Sequence, residues 1–91
     1  MSEKIIIESL ASDLIRVSLG LQRNSTAMAK RFKAEALQRK SEVDPTKVKP
    51  YIVQLLNKME QALSLKDSQK VAEDALMYST LFQNYSQKLA P

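Results

Sequence analysis

The sequence predicts an all-α fold, a small antiparallel bundle of four helices, and three observations carry that expectation. One glycine and three prolines in 91 residues leave few places for strand turns, while helix formers are abundant. Apolar residues recur at spacings of three and four, the period of a helix with one buried face. The breaks between these runs are short, which suits helices that double back on one another. A chain this long makes one domain, residues 1–91, and with 44% apolar and 26% charged residues it has an ordinary globular composition.

The first helix is expected over residues 3–19, capped by Ser2. Its stripe is Ile6, Ile7, Leu10, Leu14 and Val17, with a second apolar strip of Ile5, Ala11, Ile15 and Leu19 beside it. Gly20, the sole glycine, is placed to end it in a left-handed C′ conformation, after which Asn24 or Ser25 starts a second helix reaching about residue 42. A competing reading runs the helix straight through, because Leu10, Leu14, Val17, Leu21, Ser25, Met28 and Phe32 hold one phase across the proposed break. That rod would be about 60 Å long at 1.5 Å per residue. It would give a three-helix architecture with the leading isoleucines uncovered, and a second copy would have to bury them.

Asp44-Pro45 marks the next turn, and Pro50 suits the first turn of a third helix, where its missing N–H costs nothing. Ile52, Leu56, Met59 and Leu63 form its stripe. Ser64 to Asp67 then connects to a fourth helix, capped by Asp67 or Ser68, whose seam is Val71, Ala75, Tyr78, Phe82, Tyr85 and Leu89. That aromatic seam reads either as plain core or as the wall of a groove or homodimer face, extended by Tyr51.

Several classes of function are disfavoured. Without cysteine there is no disulfide framework or thiolate metal site, and without histidine the usual neutral-pH acid–base group and commonest metal ligand are missing. A single glycine cannot build a phosphate loop. Glu73 and Asp74 point apart on a helix, and Glu3, Glu8 and Asp13 lack the histidine partners of helical di-metal sites. The expectation is therefore no enzyme, no cofactor, no metal and no small-molecule substrate. No apolar run approaches the roughly 20 residues of a membrane span, and Glu8 and Asp13 interrupt the only stretch resembling a signal peptide, so a cytoplasmic location is expected.

The net charge of +4 belongs to the middle of the chain, since residues 23–49 carry eight basic and three acidic groups. On a helical wheel Arg23, Lys30, Lys33 and Lys40 fall within about a third of the circumference, opposite Met28 and Phe32. The stripe is either a site for an acidic partner or the solvated side of a surface helix. No aromatic residues are interleaved for base stacking, and too few apolar residues lie opposite for a membrane anchor. The functional expectation is a protein–protein interaction module: an adaptor, assembly factor or regulatory subunit. It is expected to self-associate as a dimer through Ile5, Ile6, Leu10 and Ile15. The alternative is a nucleic-acid-associated protein using the basic stripe.

Overall fold

In the computed structural model, which describes residues 2–90, four helices follow one another as α1 (Glu3–Gln22), α2 (Thr26–Glu42), α3 (Pro50–Leu63) and α4 (Ser68–Ser86). A 3-10 turn, Pro45–Lys47, links α2 to α3, and no strand occurs among the described residues. The chain is a small helical bundle with extents of 37 × 20 × 20 Å and a radius of gyration of 12.3 Å, close to the roughly 12 Å expected for a compact chain of this length.

The break between the first two helices is real, so the continuous rod is excluded, but the residue that makes it is not Gly20. Helix α1 runs on to Gln22, and Asn24 takes the left-handed position with φ 56°. Two bonds close the end: the Ser25 N–H donates to Gly20 O at 2.7 Å and the Asn24 N–H donates to Leu21 O at 3.2 Å. This is the paired capping pattern in which the two residues beyond a helix satisfy its last free carbonyls. Ser25 then caps α2 by accepting a bond from the Met28 N–H at 3.3 Å.

Gly20 serves packing instead. A Cβ placed on it would lie 2.8 Å from the Ala29 backbone nitrogen and 3.2 Å from the Ala29 Cα, inside contact distance. Together with buried Ala29 and Ala36, it lets α1 and α2 approach backbone to backbone. Buried Ala11 and Ser18 on α1 and Ala72, Ala75, Ser79 and Ser86 on α4 are equally small. Accordingly α1 lies closest to α2 and α4, and it is the central element. Helix α3 stands further off and fills its gap with Ile52, Leu56, Met59 and Leu63, all buried as their spacing predicts.

Two long-range bonds fix antiparallel neighbours. Glu3 Oε2 accepts from the Asp44 N–H at 3.1 Å, tying the start of α1 to the residues after α2. The Tyr85 hydroxyl accepts from the Lys49 N–H at 3.1 Å, tying the end of α4 to the start of α3. The predicted caps hold elsewhere. Asp44 accepts from the Thr46 N–H and hydroxyl at 2.9 and 2.7 Å, which keeps its carboxyl below the ordinary range. Asp67 caps α4 by accepting from the Lys70 N–H at 3.1 Å.

Candidate interaction surfaces

The basic stripe is divided by the fold. Arg23 ends α1 while Lys30, Lys33 and Lys40 sit on α2, so the common phase drawn through the break does not survive. Lys40 has a partner within the bundle: its Nζ lies 2.6 Å from Glu60 Oε1, an exposed ion pair that links α2 to α3. Arg31 and Arg39 pair along α2 with Glu35 at 3.6 Å and Glu42 at 3.3 Å. The guanidinium groups of Arg16 and Arg31 also lie 5.4 and 5.2 Å from the Phe32 ring centroid, covering an aromatic that would otherwise face water. Arg23, Lys30 and Lys33 remain, none with a carboxylate within 4 Å among the described residues. Lys30 and Lys33 line an open cleft of about 370 Å³ at the α1–α2 turn, with Leu21, Asn24, Thr26 and Ser68.

The expected self-association residues fare differently from one another. Ile6 and Leu10 belong to the core at 4% and 0% exposure, so they cannot meet a second copy. The bundle seals them because α1, ending where it does, is flanked along its length by α2 and α4. Ile5 is exposed and Ile15 half-buried, and ten residues of helix separate them by about 15 Å. These two do not make a patch. The seam of Tyr78, Phe82 and Tyr85 is core, with Tyr78 stacked on Phe82 at 6.3 Å between centroids and Tyr51 meeting Tyr85 edge-on at 5.8 Å.

An apolar surface does exist, on the other side of α4. Leu76, Met77 and Leu81 are 47%, 47% and 40% exposed within six residues of one helix. The seam residues carry the strongest periodicity in the sequence, yet a different signal marks this face. Ala75 to Gln87 is the longest stretch of the chain without a charged residue, thirteen in a row. A half-exposed helix in water ordinarily carries charge on its outer side. Depletion of charge with leucine and methionine left exposed is instead the composition of an interface core.

One buried titratable group stands apart from both surfaces. Asp13 is 6% exposed on α1, and its Oδ2 has no hydrogen-bond partner. Burial raises its pKa above the ordinary carboxylate value, nearby Glu35 adds to the rise, and Arg39 and Arg16 oppose it. Among the described residues no group of three or more acidic side chains is arranged to hold a metal ion, and no helix is long and apolar enough to cross a membrane. Compared with known protein families, curated proteins and solved structures, the chain matches none.

Proposed function

We propose that this chain is a non-enzymatic protein–protein interaction module, an adaptor, assembly factor or regulatory subunit of the cytoplasm, which also associates with itself. The observation that carries the reading is the uncharged outer face of α4, where Leu76, Met77 and Leu81 stand exposed. A bundle with a closed core around Ile7, Leu10, Leu14 and Phe82 gains nothing in folding from keeping three large apolar side chains in water on one helix. The lack of histidine and cysteine in the sequence favours binding over chemistry.

Sedimentation velocity tests this from micromolar concentrations upward, in low and high salt. Apolar association grows with concentration and tolerates salt, and Met77→Glu with Leu81→Glu abolishes it while leaving the helical circular dichroism intact. A species that stays monomeric throughout removes the self-association part of the reading.

A second reading, nucleic-acid association, rests on Arg23, Lys30 and Lys33, which have no carboxylate partner. With Lys40 held by Glu60, three cations at one end of the bundle make a short electrostatic footprint. Such binding weakens steeply with salt. A gel shift that ignores Arg23→Glu, Lys30→Glu and Lys33→Glu together discards it.

A further inference from the structure

The face of α4 specifies more than stickiness. At 100° per residue, Leu76, Met77, Thr80, Leu81 and Asn84 occupy a strip about 140° wide that faces solvent. Glu73 lies in the same strip at one end. Lys88 continues it at the other, in the turn that closes the helix, where its N–H donates to Tyr85 O at 3.0 Å. Everything between them on the chain from Ala75 to Gln87 is uncharged. Nearby Lys70 is committed to Asp74 at 3.0 Å, whereas neither Glu73 nor Lys88 has an opposite charge within 4 Å among the described residues.

Glu73 and Lys88 stand fifteen residues apart, about 22 Å along the helix, and the point halfway between them falls between Thr80 and Leu81. We infer that two copies of this chain pair α4 against α4 in antiparallel fashion about a two-fold axis through that midpoint, with Glu73 of each copy opposite Lys88 of the other. The inference rests on the self-association reading above and fixes its partner, register and orientation.

Charge selects the occupant. A strip with no charge at its centre leaves no unpaired charge desolvated only if the facing surface is uncharged there too. Its two ends demand opposite signs in reverse order. A second α4 supplies both, because a two-fold axis makes a surface complementary to itself when opposite charges are equidistant from the axis. A parallel arrangement would set Glu73 against Glu73 and Lys88 against Lys88, which is repulsive. One helix face from each copy is a small contact beside the about 800 Å² per partner of a standard interface, so the pair dissociates in the micromolar range or above.

Charge reversal with rescue is the test, read by sedimentation equilibrium from about ten micromolar to about one millimolar. Glu73→Lys and Lys88→Glu each place like charges opposite one another at both ends and weaken the dimer about tenfold or more. The double variant Glu73→Lys with Lys88→Glu restores it to within about threefold, because the sites exchange roles. The chain has no native cysteine, so Thr80→Cys adds an independent readout. Beside the axis it cross-links copy to copy under mild oxidation, and Gln69→Cys, far from the axis, does not. A dimer indifferent to both reversals, or cross-linked equally well at both cysteines, overturns the register while leaving self-association standing. A monomer at about one millimolar overturns both.

Discussion

Replacing Gly20 by alanine separates local preference from packing, because the two predict opposite signs. Gly20 lies inside α1, and an interior helical glycine costs about 1 kcal/mol relative to alanine. Helix propensity alone therefore predicts a more stable protein. The added methyl, however, arrives 2.8 Å from the Ala29 nitrogen and 3.2 Å from its Cα, and these are backbone atoms of a helix that cannot swing aside as a side chain would. Overpacking of a fitted interior costs about 1–3 kcal/mol, and a clash with main chain belongs at the upper end. The net expectation is a loss of about 1–2 kcal/mol, which lowers the melting temperature by roughly 5–15 °C for a domain of this size. Thermal unfolding followed by circular dichroism measures it, with urea denaturation as a check on the free energy. A melting temperature equal to or above that of the wild type would refute the close approach of α1 and α2.

Asp13→Asn is expected to stabilise the protein at neutral pH by up to about 1 kcal/mol, since it removes a charge whose buried oxygen is unpartnered. Because the folded-state pKa of Asp13 is raised, the folded protein holds its proton more tightly than the unfolded chain. That contribution is full below the ordinary carboxylate pKa and is lost as pH rises through the folded value. Urea midpoints between about pH 4 and pH 7 should fall more steeply for the wild type than for the variant, and parallel curves would contradict the assignment. Tyr85→Phe deletes the acceptor of the Lys49 N–H and should cost about 1 kcal/mol in urea unfolding, while an unchanged midpoint would mean that water replaces the hydroxyl. At Asn24, glycine should be neutral or mildly stabilising and valine should cost about 1–2 kcal/mol, because only the former accepts the left-handed backbone without penalty; equal stabilities would argue against the turn.

The helices were legible because periodicity reports burial directly. The stripes from Ile52 to Leu63 and from Val71 to Tyr85 are buried as spaced, and Ser2, Ser25 and Asp67 cap as their side-chain chemistry suggests. Gly20 misled for a physical reason: glycine fits both a left-handed turn and a tight helix crossing, and sequence does not distinguish them. Asparagine also tolerates the left-handed region, so Asn24 could take the role usually given to glycine. Lys40 looked like part of a free stripe because Glu60, its partner, comes from another helix twenty residues on. Apolar periodicity does not reveal the exposed face of α4, because the buried aromatics carry the stronger 3–4 spacing on the same helix. The visible mark was a missing property, charge, over thirteen residues.

The central position of α1 bears on how the chain is made. During synthesis α2 follows within three residues and can cover one flank of α1 almost at once. The opposite flank waits for α4, which follows the other three helices out of the ribosome. Until then Ile7 and its neighbours are held by a half-built structure, so fragments ending before Ser68 should clump or be degraded.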